Sequence, residues 1–169
     1  LANIAGVYRD RGNYETALSF LEQSLATSRQ YDYKETEGSV LHDIAGAYIA
    51  QGNRIAAIPY LKQALELRKQ TGDQEGFGLT LNTISQMFMG FGMFKEALVY
   101  LKQALEILEQ IGDKATVGTV LNNIGGVYNE LSDYETAMLY FKQALSIRQQ
   151  VGDKEGEALS LKSISGIYM

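Results

Sequence analysis

Leu121-Asn122-Asn123-Ile124-Gly125-Gly126-Val127-Tyr128, followed nine residues on by Ala137-Met138-Leu139-Tyr140-Phe141, decides how this chain folds. Leu121, Ile124, Gly125 and Tyr128 fall at i, i+3, i+4 and i+7, which lines them up on one stripe of an α-helix. Ala137, Phe141, Ala144, Leu145 and Arg148 make a second such stripe, widened by Met138. Between the two sits Glu130-Leu131-Ser132-Asp133-Tyr134, where a polar break precedes an Asp able to accept the free N–H groups that open a helix. The segment predicts a helical hairpin: helix A, a very short turn, then an antiparallel helix B.

The same hairpin recurs along the chain. Leu1, Leu41, Leu81, Leu121 and Leu161 are forty residues apart, as are Ile4, Ile44, Ile84, Ile124 and Ile164, and the aromatics Tyr8, Tyr48, Phe88, Tyr128 and Tyr168. Ala17, Ala57, Ala97 and Ala137 keep that step, as do Leu25, Leu65, Leu105 and Leu145. No insertion or deletion interrupts the copies, so the register of each unit matters to its neighbours, as in a stacked array. Arg11-Gly12-Asn13 and Gln51-Gly52-Asn53 repeat the A–B turn; Thr71-Gly72-Asp73, Ile111-Gly112-Asp113 and Val151-Gly152-Asp153 form the B–A turn. In each, Gly supplies a left-handed exit and Asn or Asp caps the next helix. Gly92-Met93-Phe94 lacks the polar cap and predicts the least well defined turn. Pro59, near the start of the second B helix, predicts a slight bend rather than a break.

Composition narrows the function. The 169 residues carry 15 Lys+Arg against 20 Asp+Glu, and this net charge of −5 argues against nucleic acid, which needs a concentrated positive field. No apolar run approaches the ~20 residues of a membrane span, and no signal-peptide pattern opens the chain. The absence of Cys excludes disulfides, thiolate zinc sites and cysteine nucleophiles, and a single His makes a Ser-His-Asp triad or a multi-His metal site a poor prospect. Glu75, Glu106, Glu109 and Glu155 read as cap and solvent charges rather than catalytic carboxylates, and no nucleophile–base pair is visible. The Gly residues at 76–78 and 125–126 fall inside helices and form no phosphate loop. The expectation is a cytoplasmic non-enzyme with no cofactor and no metal, whose partners include neither nucleic acid nor membrane.

On these residues the chain resembles the tetratricopeptide repeat family. Leu121-x2-Ile124-Gly125-x2-Tyr128 and then Ala137-x3-Phe141 follow the family pattern, with Leu at the first position in place of an aromatic and with Ala5, Ala45 and Ser85 where the small Gly is expected in other units. A propeller of forty-residue blades is excluded by the helical periodicity and the lack of Trp, and HEAT repeats fit the Gly-Tyr-Ala pattern poorly. The period exceeds the usual thirty-four residues, the closing proline is missing, and helix B runs on through Ala144-Leu145-Ser146-Ile147-Arg148-Gln149-Gln150. That longer form is similar to the repeats of kinesin light chains, of Leu-Gly-Asn adaptors and of bacterial signalling arrays. The resemblance implies an all-α, right-handed α-solenoid of helix-turn-helix units: about 1–33, 34–73, 74–113 and 114–153, plus a partial A helix over 154–169. Neither end carries a polar capping unit, so the single array reads as a piece of a longer protein.

A second stripe on helix A is neither core nor charged surface. It contains Ser39, His42, Gly46 and Ile49; Leu79, Asn82, Gln86 and Met89; Thr119, Asn122, Gly126 and Asn129; and Leu159, Lys162, Gly166 and Met169. In the family the A helices line a concave groove, so the resemblance places this stripe where a peptide or protein segment binds. The candidate groove residues are His42, Ile49, Leu79, Asn82, Gln86, Met89, Asn122, Asn123 and Asn129. Amides can donate and accept together, and Met and Ile make adaptable apolar contacts. By resemblance to kinesin light chains, Asn82, Asn122 and Asn123 would contact the ligand main chain. A clamp for chaperone C-terminal carboxylates is disfavoured, because the matching positions Ala2, Gly6, Asp43, Asn82 and Thr83 lack positive charge. The recurring aromatics Phe20, Tyr60, Tyr100 and Tyr140 read as packing between repeats, and Gln23, Gln63, Gln103 and Gln143 as solvent-facing. The leading expectation is a scaffold that binds a protein segment. The alternatives are a spacer that self-associates end to end, and a sensor segment controlling an attached effector domain.

Overall fold

The computed structural model describes residues 2–167, so Leu1, Tyr168 and Met169 of the periodic series lie outside the described residues. Those described form nine α-helices and no strand. The A helices are α1 (Ala2–Asp10), α3 (Lys34–Ala50), α5 (Gln74–Gly90), α7 (Lys114–Glu130) and α9 (Lys154–Ile167). The B helices are α2 (Tyr14–Gln30), α4 (Arg54–Thr71), α6 (Phe94–Ile111) and α8 (Tyr134–Val151). Helix α4 runs unbroken through Pro59.

Each of the eight turns between the described helices has a residue in the left-handed region, and six of them add a capping side chain, Tyr33 and Met93 being without one. Gly12, Gly52 and Gly92 leave the A helices, and Gly72, Gly112 and Gly152 the B helices, all with φ between 72° and 86°. Asp32 (φ 53°) and Ser132 (φ 61°) take that left-handed conformation at the two turns that lack Gly, where a side chain costs about 1 kcal/mol. Asn13, Asn53, Asp113 and Asp133 then accept from the backbone N–H three residues on. Met93 has no such side-chain bond, yet its backbone (φ −88°, ψ 68°) repeats that of Asn53 (φ −90°, ψ 66°). Its N–H still donates to the Phe88 carbonyl at 2.9 Å, so the uncapped turn is as regular as the rest, contrary to the sequence expectation. Backbone bonding and packing set the turn, and the cap contributes only its own bond.

The chain forms two compact units, Leu1–Thr80 and Leu81–Met169. In the first, α1, α2, α3 and α4 pack each on the next; in the second, α6, α7, α8 and α9 do the same. The helix A stripe is the core: Leu41, Ile44 and Ala45, like Leu121 and Ile124, are at most 4% exposed. Ala17, Ala57, Ala97 and Ala137 are wholly buried, which lets the two helices of a hairpin approach closely. In helices α1 and α9 the same series is open, with Ile4 47% and Leu161 52% exposed.

Two further features explain the sequence pattern. A Cβ added to Gly125 would stand 2.6 Å from the Phe141 ring, so this hairpin needs Gly there; where Leu21, Leu61 and Leu101 replace the Phe, the matching residues are Ala5, Ala45 and Ser85. The recurring B-helix aromatics stack inside their own hairpin, on Tyr8, Tyr48, Phe88 and Tyr128, with centroids 5.2–5.7 Å apart. The expected packing between repeats is therefore replaced by an intra-hairpin ring pair, because the A and B aromatics flank the same short turn.

Candidate binding face

Within each unit the A helices also meet one another, α1 with α3 and α7 with α9, whereas the B helices α2 and α4 touch through long side chains, Arg29 Nη2 donating to Gln63 Oε1 at 3.1 Å. Each unit thus brings neighbouring A helices into direct contact, and the second stripe is carried on those helices. His42, Ile49, Leu79, Met89, Asn122, Asn123 and Asn129 are half-buried on it, Gln86 is exposed, and Asn82 is buried.

In the first unit, His42 Nδ1 lies 3.4 Å from the hydroxyl of Thr80 on α5. Thr80 is fully buried; it accepts from Arg68 Nη1 at 2.6 Å and donates to the Gly76 carbonyl at 2.8 Å. Arg68 is itself buried at the end of α4, donates to the same Gly76 carbonyl, and places Nε 3.4 Å from Asp73 Oδ2. Burial, with the positive charges of Arg68 and Arg9, lowers the His42 pKa to about 4 and keeps the imidazole neutral at pH 7. Burial pushes the neighbouring Asp43 carboxyl up, and Arg9 and Arg68 oppose that shift. Asp43 and Arg9 line a cavity of about 210 Å³ with Asn3, Ala5, Gly6 and Leu21.

In the second unit, Asn123 Nδ2 donates to Asn82 Oδ1 at 2.8 Å, tying α7 to the middle of α5. Two of the three asparagines expected to meet a ligand therefore bond to each other across neighbouring A helices. The third, Asn122, has Oδ1 at 3.5 Å from the hydroxyl of buried Ser160 on α9, which accepts from Arg148 Nη1 at 2.9 Å. Arg148 also donates to the Gly156 carbonyl at 2.7 Å, and its Nε lies 3.7 Å from Asp153 Oδ2. A Cβ added to Gly126 would stand 3.8 Å from Met89 Cε, an ordinary contact distance, so a small side chain would also fit beside the thioether.

The sequence reading did not find the arginine clusters. The signal was an alternation over eighty residues: Ser28, Arg68, Leu108, Arg148; Thr36, Gly76, Thr116, Gly156; and Val40, Thr80, Val120, Ser160. Among the described residues no group of three His, Cys, Asp or Glu side chains is arranged to hold a metal, and no helix is long and apolar enough to cross a membrane.

Comparison with known proteins agrees with this architecture. The sequence profile of the tetratricopeptide repeat matches residues 1–70 and 77–150. No curated protein sequence matches the chain. A solved structure of a putative kinesin light chain from Podosopora anserina, with nearly identical repeats of this type, superimposes with a TM-score of 0.78 at 19% identity, covering 99% of this chain and 82% of that one. The Pyrococcus horikoshii signal transduction ATPase PH0952, described as having a tetratricopeptide repeat sensor, gives 0.85 at 25% identity over 99% of this chain and 25% of its own. A Rap protein complexed with Competence and Sporulation Factor gives 0.87 at 16% identity over 99% of this chain. This chain spans only half the length of that Rap protein.

Proposed function

The chain belongs to the tetratricopeptide repeat family, and on that premise we propose that it is a protein-interaction scaffold holding a peptide segment on its A-helix faces. The observation that carries the proposal is the character of those faces: half-buried His42 with Ile49 in the first unit, and half-buried Asn122 and Asn129 with Met89 in the second, beside Gly46 and Gly126. Amides beside adaptable apolar side chains suit a main chain with a few apolar side chains of its own. The Rap protein, whose fold is shared, was solved with a bound factor, which supports the reading as an analogy of fold.

The test selects peptides from a random display library on the intact chain, then measures their affinity for surface variants. Asn122→Ala with Asn129→Ala is expected to weaken binding about tenfold, or ~1.4 kcal/mol, the scale of a lost hydrogen bond at an interface. Lys102→Ala with Gln103→Ala, on the exposed side of α6, should leave affinity unchanged. The reverse pattern would move the binding surface to the B helices.

A second reading makes the chain the sensing segment of a larger signalling protein, and the 25% identity to the PH0952 chain favours it. Ligand-dependent activity of an effector domain encoded beside this chain would establish that role.

A further inference from the structure

The hydroxyl of Thr80 has one hydrogen and two lone pairs. Its hydrogen has the Gly76 carbonyl as a partner at 2.8 Å, a carbonyl that also accepts from Arg68 Nη1, and one lone pair accepts from Arg68 Nη1 at 2.6 Å. Arg68 can only donate, so it occupies a lone pair, and the donation to Gly76 then gives the relay its direction. What remains toward His42 Nδ1, 3.4 Å away, is a lone pair, and the partner of a lone pair is an N–H. We propose that Arg68, acting through Thr80, is a positioning residue that holds His42 as the Nδ1–H tautomer, so that Nε2 is the hydrogen-bond acceptor this A-helix face offers a ligand.

The relay is built rather than incidental. A Cβ on Gly76 would stand 2.6 Å from Arg68 Nε and 2.1 Å from Asp73 Oδ2, so the Arg requires the Gly. A Cβ on Gly38 of α3 would stand 3.3 Å from Arg68 Cγ, so the stem of the arginine lies against α3 while its head reaches α5. Arg148, Gly156 and Ser160 repeat the arrangement at Asn122. There the hydroxyl again accepts from the arginine, but its hydrogen faces Asn122 Oδ1, which turns the amide's Nδ2 donors outward from that bond. The same device yields an acceptor at His42 and a donor at Asn122. A ligand on the first unit would therefore meet His42 with an N–H or O–H, and a ligand on the second would meet Asn122 with a carbonyl. That last consequence rests on the A-helix faces being the binding surface; the tautomer does not.

The chain contains one His, so a long-range ¹H–¹⁵N correlation spectrum of the free protein at pH 7, where the ring is neutral, reads this site alone. The expected result is a protonated, pyrrole-type Nδ1 and an unprotonated Nε2. Thr80→Val, the residue found at positions 40 and 120, should keep the fold and move Nδ1 downfield by tens of ppm as the Nε2–H form takes over. Thr80→Ser, the residue at position 160, should retain the wild-type pattern. Arg68→Leu, matching position 108, should lose it. A wild-type spectrum dominated by Nε2–H, or an unchanged tautomer in a folded Arg68→Leu protein, would overturn the proposal. None of these measurements uses a ligand, so they succeed or fail independently of the peptide-binding reading.

Discussion

In the second unit, Leu108 at the end of α6 and Arg148 at the end of α8 occupy the same place in the forty-residue period, and both are at most 2% exposed. Around Leu108 the period supplies Thr116 and buried Val120. Around Arg148 it supplies Gly156, buried Ser160 and the carboxylate of Asp153. The leucine needs apolar neighbours and a snug volume. The arginine needs a carbonyl, a hydroxyl, a counter-charge and the absence of a Cβ. What changes from one joint to the next is therefore a set of residues that makes sense only together. The first unit repeats the contrast, with Ser28, Thr36 and Val40 before Arg68, Gly76 and Thr80. A buried ion pair adds little net stability over an apolar isostere, because desolvating the charges offsets their attraction. The arginine sets are thus explained better by what they orient than by how tightly they hold.

If the sets are coordinated, mixing them should be costly and exchanging them whole should not. Gly156→Thr puts a Cβ 1.9 Å from Asp153 Oδ2 and 2.7 Å from Arg148 Cδ, and should lower unfolding free energy by about 3 kcal/mol. The triple variant Arg148→Leu, Gly156→Thr, Ser160→Val imports the α6–α7 set and should recover to within ~1 kcal/mol of wild type. Urea denaturation reads both, and a triple as unstable as the single would show that the two joints are not interchangeable. Arg148→Leu alone should cost about 2 kcal/mol, since the Gly156 carbonyl and Ser160 hydroxyl lose their donor. Leu108→Met, which keeps volume and polarity at the other joint, should cost under ~1.5 kcal/mol. Equal losses would erase the distinction between the joints.

Much of this architecture was legible because every helix repeats its own evidence. Leu121, Ile124 and Ala137 announce a stripe, and four in-register copies remove chance as an explanation. The turns were equally readable at Asn53 and Asp133, where Gly or Ser and the cap stand side by side. The ring stacks were misjudged because periodicity gives a residue's face but not which neighbour that face meets. Asn82 and Asn123 were read singly as ligand contacts, whereas side chains forty-one positions apart bond to each other at 2.8 Å. The arginines were hidden by their own regularity: Arg148 was read as one more member of a helical stripe, and the alternation that explains it spans two periods, where a forty-residue search averages it away.

The two arginine joints differ in two titratable groups, His42 and Asp43, matched by Asn122 and Asn123 at the other joint, and acid should separate them. His42 faces the Arg68 joint, whereas the matching residue at the Arg148 joint is Asn122. Because folding lowers the His42 pKa from 6.5 to about 4, the unfolded chain binds a proton more readily over that interval. The contribution of neutral His42 to stability is therefore full above pH 6.5 and is lost as pH falls toward about 4. Urea midpoints between pH 7 and 4.5 should drop more steeply for wild type than for His42→Gln, the difference isolating this group from the carboxylates. Parallel curves would mean that the ring is not held neutral at this joint.

The smallest effect is expected at Met93, one of two turns, with Tyr33, that break the capping rule while keeping its geometry. Met93 already has the backbone of a capping residue, and its N–H is already bonded, so an Asn side chain there would have only its own bond to add. Met93→Asn should therefore stabilise the chain by about 0.5–1 kcal/mol, and Asn53→Ala should destabilise it by a similar amount. Met93 is 40% exposed, so little apolar burial is given up in the exchange. If the caps organised these turns, the gain at Met93 would exceed the loss at Asn53, because a loose turn would be ordered as well as bonded. Equal and opposite shifts in the urea midpoint would place the order of the turn in its glycine and its packed helices, with the cap as a separate increment.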